Sequence, residues 1–242
     1  MDSKRLLKIL KTKYSVAASI GGSNLLKTAI QARTDGADMI ELRIDDICRS
    51  IKPSDIKTHI KKIRSRVKLP LIATIRPEKE QGMKNSCCPA DKERLELFKS
   101  IIGLVDMIDI EISSESINRE IVEMGHKKHK LVIISYHNFE KTPAMRLIKQ
   151  QALKALRLKA DIVKIAVMAT KPEDPGKLLL FCRSWKKTPI CAISMGRLGT
   201  ISRIAGFAFG SCITYGYVDK TFAPGQLSIK ELSVCSGIEL SV

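Results

Sequence analysis

The feature that most constrains this fold is an alternation, repeated eight times, between short β-rich runs and amphipathic helical stretches. Parallel strands must be joined by a crossover, which is usually a helix. Eight βα units in 242 residues fit an α/β fold of one kind, the closed (β/α)8 or TIM barrel. The predicted strands span residues 14–21, 37–45, 70–77, 105–112, 130–138, 161–169, 188–196 and 211–218.

The segments between these strands have helical patterns, for example "NLLKTAIQARTDGA", "SDIKTHIKKIRSRV" and "DKERLELFKSIIGL", and several open with a predicted Asn, Ser or Asp N-cap. A weak echo recurs where a helix meets a strand: "GADMIEL", "LVDMIDI" and "KADIVKI". A doubly wound open sheet is the alternative, but no G-x-G-x-x-G fingerprint follows the first strand. No linker divides the chain, so we expect one barrel domain over residues 1–242.

The composition narrows the class of protein and its setting. The seven cysteines form no C-x-x-C pair, with Cys87 and Cys88 adjacent, which predicts neither a zinc site nor a disulfide framework. No segment resembles a signal peptide, and none approaches the length of a membrane span. These observations predict a cytoplasmic protein with no membrane partner.

The net charge of +17 is the one compositional oddity. It permits nucleic-acid binding, steering of an anionic substrate, or simply a lysine-rich solvated surface. The basic residues are spread along the predicted helices, and aromatic residues are only 5% of the chain, which disfavours a stacking platform for single strands. We therefore expect no nucleic-acid partner.

Strand parity predicts which side chains point into the barrel. Side chains alternate between the interior and the helix layer, and the branched apolar set of each strand is expected to face the helices. In residues 161–169, for example, Val163, Ile165 and Val167 oppose Lys164. The same assignment in five strands sends a set of ionisable side chains inward, near the strand ends where barrel active sites are built: Glu41, Arg43, Arg76, Asp109, Glu111, His137 and Lys164.

This set of side chains permits a limited chemistry. Burial beside Arg43 and Arg76 is expected to favour the neutral amine of Lys164, which can attack a ketone or aldehyde to give a Schiff base. His137 supplies a proton shuttle, and the arginines can bind a carboxylate or phosphate. The residues thus predict an imine-forming lyase or aldolase that needs no cofactor and no metal.

At these residues the sequence resembles the type I 3-dehydroquinate dehydratases of the shikimate pathway. The matching motifs run along nearly the whole chain: "ELRID" (41–45), "TIRPEKEQG" (74–82), "DIEI" (109–112), "SYHNFEKTP" (135–143), "DIVKIAVMA" (161–169), "ISMGRLGTISRIAGFAFGS" (193–211) and "APGQ" (223–226). The resemblance implies a (β/α)8 barrel, a homodimer, and a small-molecule substrate, 3-dehydroquinate, that loses water to give 3-dehydroshikimate.

The resemblance also implies roles for individual residues. Lys164 resembles the lysine that forms the Schiff base on the C3 ketone, and His137 resembles the acid/base that takes the C2 proton and assists loss of the C1 hydroxyl. Arg203 resembles the arginine that binds the substrate carboxylate. The remaining implied substrate-binding residues are Glu41, Arg43, Arg76, Gln226 and Ser19, and the implied supporting carboxylates are Glu80, Asp109 and Glu111.

The sequence departs from the family pattern at one position and leaves two other functions open. Phe222 stands before "APGQ", where the family usually has Ser or another small residue, so a hydroxyl contact is not expected from it.

A class I aldolase on the same barrel would share the Schiff base, and "SMGRLGT" only partly suggests the phosphate loop such an enzyme needs. A basic nucleic-acid-binding protein is the alternative outside the enzymes.

Overall fold

The computed structural model describes residues 2–80 and 90–236. Motif residues 81–82 and the adjacent Cys87 and Cys88 lie outside the described residues. All eight predicted strands form, each within its predicted range or a few residues shorter. They are β1 (Ser15–Ile20), β2 (Met39–Arg43), β3 (Leu71–Thr74), β4 (Met107–Glu111), β5 (Leu131–Asn138), β6 (Ile162–Met168), β7 (Ile190–Met195) and β8 (Ile213–Tyr217).

Helices follow or cover the strands. None of the described helices is long and apolar enough to cross a membrane. The helices are α1 (Ser3–Thr12), α2 (Leu25–Thr34), α3 (Ile44–Ile47), α4 (Pro53–Val67), α5 (Asp91–Ile101), α6 (Asn118–Lys127), α7 (Met145–Arg157), α8 (Asp174–Ser184), α9 (Ile201–Ala205) and α10 (Ile229–Ser236).

The sheet confirms the predicted barrel. All strand pairs are parallel, and the order β7-β6-β5-β4-β3-β2-β1-β8 follows the chain around the ring. A single parallel bridge between Ile190 and Ser211, with the Cys212 amide 2.8 Å from the Ile190 carbonyl oxygen, joins β7 to the start of β8. An open doubly wound sheet would reverse its strand order partway along, so the alternative fold is wrong.

The core has two parts, which confirm the parity prediction. The branched residues of the strands, such as Ile108 and Ile110 of β4, pack with the helices in the larger part. Met107, Ile133 and Ile162 belong to a second cluster that fills the barrel interior. Leu6 and Leu10 of α1 join that cluster, together with residues of β1, β7 and β8. Apolar side chains thus fill part of the interior, and the ionisable side chains occupy the rest.

The predicted N-caps are displaced in α4 and in α5, where Ala90 and not Asp91 occupies the capping position. Helix α4 begins at Pro53, so Lys52 occupies the capping position and Ser54 lies inside the first turn. Helix α2 does begin after Asn24, but the Asn24 side chain makes no capping hydrogen bond. Proline suits the first helical turn because its missing N–H would have no helical partner there. The capping prediction is therefore wrong for α4 and α5, although both helices are correctly placed.

Candidate active site

The ionisable side chains of the barrel converge on one pocket at the carboxyl ends of the strands. The loop after β8 contributes Phe222, Ala223 and Gln226 to its wall. Asp109 and Glu111 of β4 are fully buried next to the pocket and are not part of its lining. The predicted site residues that line the pocket are Ser19, Glu41, Arg43, Arg76, Glu80, His137, Lys164, Arg203 and Gln226.

Lys164 lies in the middle of β6 and is only 5% exposed. Its Nζ donates to Asp109 Oδ2 at 2.8 Å and is 3.8 Å from Glu41 Oε1. The third neighbour is the ring of Tyr215, whose centroid is 3.9 Å from Nζ. The direct neighbours of the amine are therefore two carboxylates and an aromatic face, and not the two arginines predicted from the sequence.

A buried chain of alternating charges begins at Asp109. Arg76 donates to Asp109 through both Nη atoms, at 3.1 and 2.9 Å, and to Glu111 Oε1 at 2.7 Å. Arg94 of α5 donates to the other oxygen of Glu111 at 2.5 Å. Burial opposes ionisation of Asp109, but Arg76 and Lys164 outweigh it and hold the pKa of this carboxyl far below its usual range. Asp109 therefore stays an anion beside the amine.

Glu111 differs from Asp109 although it also contacts arginine. Burial raises the pKa of Glu111, and the two guanidinium groups only partly offset that effect. Its second oxygen also accepts from Ser114 Oγ at 2.8 Å. Removing either arginine would leave a buried carboxylate with too little compensation, which is costly.

His137, near the end of β5, is held by a carboxylate from another loop. Its Nδ1 is 3.0 Å from Oε2 of Glu80, in the turn after β3, and Glu80 also accepts from the Ser113 hydroxyl. Burial of Glu80 is outweighed by the hydrogen bond from His137, so the pKa of Glu80 is lowered and it remains an acceptor. Nδ1 must then carry the proton, which leaves Nε2 with a free lone pair.

The charge state of His137 follows from its surroundings. Burial, followed by the positive charge of Arg76, lowers its pKa from 6.5 to about 4, despite the opposing effect of Glu80. The imidazole is therefore neutral near pH 7 and can accept a proton at Nε2.

Glu41 and Arg43 extend from the end of β2 into the same pocket. Glu41 accepts from Ser19 Oγ at 2.6 Å and from Thr74 Oγ1 at 2.9 Å, and burial is outweighed by Lys164 and Arg43, so its pKa is lowered. Arg43 is paired with Asp45 through two hydrogen bonds, at 3.1 and 2.7 Å. These partners fix both side chains before any ligand enters.

Arg203 differs from the other arginines of the site. It projects from α9, is 2% exposed, and donates only to the carbonyl oxygens of Tyr215 at 3.1 Å and Pro224 at 3.4 Å. No carboxylate pairs with it among residues 2–80 and 90–236, and its Nε has no hydrogen-bond partner there. Burial lowers its pKa to about 10, so the guanidinium remains charged at neutral pH. Within the described part of the chain, Arg203 is therefore a buried cation that is not paired with a carboxylate.

The loop after β8 is fastened over the pocket by its own backbone and by Gln226. The Gln226 Oε1 accepts from the Phe222 amide at 2.7 Å, and Nε2 lies 3.3 Å from Ser19 Oγ. The Phe222 ring is covered by the Arg43 guanidinium, 4.9 Å from its centroid. Gly225, with φ +69°, brings the loop against Gly196. Phe222 thus contributes an apolar surface to the pocket wall, at the position where the family usually has Ser or another small residue.

Arg94 and Tyr215 contact the charged groups of the site and were not predicted from the sequence. Arg94 belongs to the buried stripe Arg94, Phe98 and Ile101 of α5, and this i, i+4, i+7 spacing was a usable signal. Tyr215 alternates with its neighbours in β8 so that it faces inward, and the parity argument could have been extended to that strand. Arg94 was missed because the parity argument considers strands only, and Tyr215 was missed because that argument was not extended to β8.

The fold and the site together define a class of protein: a (β/α)8 barrel enzyme with an interior lysine suited to Schiff-base chemistry. The model of the type I 3-dehydroquinase family matches residues 17–236. This chain belongs to that family, which dehydrates 3-dehydroquinate to 3-dehydroshikimate through a Schiff base in the shikimate pathway. The prediction of a hydro-lyase of this family is confirmed, and the aldolase alternative is wrong.

Individual relatives agree with the family assignment. A 3-dehydroquinate dehydratase from a Hydrogenobaculum species is 40% identical over 218 residues, covering 90% of this chain and 94% of the relative. The crystal structure of 3-dehydroquinate dehydratase from Geobacillus kaustophilus superposes with a TM-score of 0.86 at 26% identity, covering 94% and 91% of the two chains. A type I enzyme from Clostridium difficile, solved with covalent modified comenic acid, gives a TM-score of 0.83 at 33% identity, covering 93% and 91%.

Proposed function

We propose that a single barrel, formed by this chain, dehydrates 3-dehydroquinate with Lys164 as the Schiff-base residue and His137 as the acid/base. The observation that carries the proposal is the buried Lys164 amine, which opens into the same pocket as the neutral His137 and as Arg203, which has no carboxylate partner among the described residues. The covalent modified comenic acid in the Clostridium difficile structure supports covalent chemistry in this family.

The proposed reaction begins when the ammonium of Lys164 loses a proton to solvent, and the resulting neutral amine attacks the C3 ketone. Loss of water gives an iminium, which draws electrons from the adjacent carbon and so acidifies the C2 proton. His137 takes that proton at Nε2, and the resulting enamine expels the C1 hydroxyl, which leaves as water with the proton that His137 returns. Hydrolysis of the product imine consumes one water and releases the amine, so the net change is loss of one water.

Arg203 is the proposed site for the substrate carboxylate. Arg203 is buried, and its Nε has no hydrogen-bond partner among the described residues. A bound carboxylate could accept two charge-assisted hydrogen bonds from this guanidinium, and the ion pair would offset the cost of burying the positive charge. Arg43 and Arg76 are instead already paired with carboxylates. We therefore assign the carboxylate to Arg203 and the more distant ring hydroxyls to the others.

The remaining residues have positioning roles in this proposal. Ser19 and Gln226 form one polar edge of the pocket with Glu41, and they are proposed to hold ring hydroxyls together with Arg43 and Arg76. Three carboxylates are proposed to support the reacting groups by orienting the histidine or balancing the cations: Glu80, Asp109 and Glu111.

The test is turnover of 3-dehydroquinate, followed by the ultraviolet absorbance of the conjugated enone product. Lys164→Met is expected to lose about 1,000-fold or more in kcat, because Lys164 is the one lysine among the described residues that line the pocket; this corresponds to about 4 kcal/mol. Arg203→Gln is expected to raise KM by about tenfold to a hundredfold through loss of the charge pair. Lys171→Met, at an exposed lysine, is the matched control. Full activity in Lys164→Met would refute the proposal.

We also propose that the protein is a cytoplasmic homodimer. The family resemblance supports the dimer. The free thiols of the described chain, at Cys48, Cys182, Cys191 and Cys212, fit a reducing compartment. Light scattering of the purified protein tests the dimer, with twice the 26.9 kDa chain mass as the expected result and the mass of a single chain as the contradicting one.

A further inference from the structure

We propose that the ring of Tyr215 is a further catalytic group whose π face stabilises the cationic iminium formed on Lys164. This inference rests on the proposed function, because it concerns the intermediate that Lys164 forms. Tyr215 lies in β8, is 4% exposed, and places its ring centroid 3.9 Å from Lys164 Nζ. A cation held over an aromatic face at this distance is attracted by the ring quadrupole, most strongly where water is excluded.

The contact becomes more important as the reaction proceeds. The resting ammonium of Lys164 has three N–H donors, one of which is bonded to Asp109 at 2.8 Å, with Glu41 at 3.8 Å. When the amine adds to the ketone, the carbinolamine takes up a proton and loses its hydroxyl as water, leaving C=N–H⁺. The iminium keeps the full positive charge and has a single N–H. The ring contact needs no donor, so it persists while hydrogen bonding to the carboxylates declines.

The phenol oxygen is not the part of Tyr215 that acts. It is buried and has no hydrogen-bond partner among the described residues, which is normally a destabilising arrangement. Burial also raises the pKa of Tyr215 well above its ordinary value, so no phenolate forms to pair with the amine. The neutral ring is therefore what faces Lys164, and the aromatic face, rather than the hydroxyl, accounts for this residue at this position.

The test measures the equilibrium constant for imine formation from the dependence of the borohydride-trapped fraction on substrate concentration, read by intact mass. Tyr215→Leu removes the π face and is expected to weaken the adduct about tenfold. Tyr215→Phe restores the face and is expected to return the constant to within about twofold of the wild-type value. Tyr136→Leu, on the helix-facing side of β5, is the control for loss of an aromatic residue elsewhere.

Ring-fluorinated phenylalanines at position 215 keep the shape and test the ring electrostatics directly, even where the leucine variant fails to fold. Adduct stability is expected to fall stepwise as fluorines are added. The inference is overturned if all fluorinated variants bind alike, if Tyr215→Leu traps like the wild type, or if Tyr215→Phe loses as much as Tyr215→Leu. Absence of any adduct in the wild-type protein would instead refute the proposed function.

Discussion

Charged side chains of this site are arranged so that almost every one has a partner of opposite sign. Lys164, Asp109, Arg76 and Glu111 alternate in sign along a continuous set of contacts, and Arg94 ends the series on α5. Burying such a network is costly, and removing one partner leaves a buried charge without compensation. Arg203 stands apart because it has no such partner in the described chain. Arg203 is therefore the position at which we propose that the carboxylate of the substrate supplies the missing negative partner.

At the residue scale, the lowered pKa of His137 predicts how kcat/KM depends on pH. The imidazole must be neutral to act as a base, so activity is lost as pH falls through its pKa. In the free enzyme that pKa is lowered to about 4, and kcat/KM should therefore show an acid limb near pH 4 and not near 6.5. A bound anionic substrate adds negative charge and is expected to move the limb of kcat to higher pH. An acid limb of kcat/KM at 6.5 or above would contradict this account.

The inward residues of the strands could be predicted from the sequence, but their partners could not. Parity alone places Lys164, His137 and Asp109 inside the barrel, because alternation on a strand is a local property. The contact of Lys164 with two carboxylates depends on the stagger between strands, which pairs Lys164 with Ser135 and Cys191 in register. Sequence patterns do not encode that stagger, so the expected arginine neighbours were wrong.

At the scale of elements, the loop after β8 is the part that most clearly couples backbone geometry to the pocket. Pro224 carbonyl accepts from the Gly196 amide at 3.1 Å, and Thr200 Oγ1 lies 3.4 Å from the Gly225 carbonyl oxygen. These contacts join the loop to the turn after β7. The motif "APGQ" identifies this loop in the sequence, but its packing against Gly196 is visible only in the structure.

Gly225→Ala is expected to lower kcat/KM at least tenfold by moving the loop off the site. A Cβ there would come 2.3 Å from the Gly196 carbonyl oxygen, and the φ of +69° is unfavourable for alanine. Gly210→Ala is the matched control, since Gly210 also has a positive φ, +88°, but a Cβ there would meet nothing within 4 Å. Steady-state kinetics and thermal unfolding are measured for both variants. If the two variants lose the same activity, the loss comes from backbone strain at a positive φ, and the loop position is not the cause.

At the scale of the whole molecule, the barrel brings residues from distant parts of the chain to one end. Ser19 and Gln226 are separated by 207 positions and lie 3.3 Å apart through their polar atoms. The eight βα repeats in the sequence predicted that the sheet closes into a barrel, because eight such units fit this fold. The helical spacing indicates that Arg94 faces the core, but the sequence does not show its partners, the Ile75 carbonyl oxygen and Glu111, because these depend on how α5 packs in the fold.

Metal removal is expected to leave the activity unchanged. The imine itself serves as the electron sink in the proposed reaction, so no step requires a Lewis acid. Incubation with EDTA, followed by dialysis and the enone assay, should give the same kcat as the untreated protein. Loss of activity that a divalent metal restores would contradict the imine as the whole mechanism.

The most direct test of the central claim is covalent trapping of the intermediate. Borohydride added together with 3-dehydroquinate reduces the imine to a stable amine, and peptide mass mapping then locates the modified lysine. The account predicts one adduct per chain, on the peptide that contains Lys164, and none when borohydride is added without substrate. An adduct on Lys141 or Lys171, neither of which lines this pocket, or turnover with no adduct at all, would contradict it.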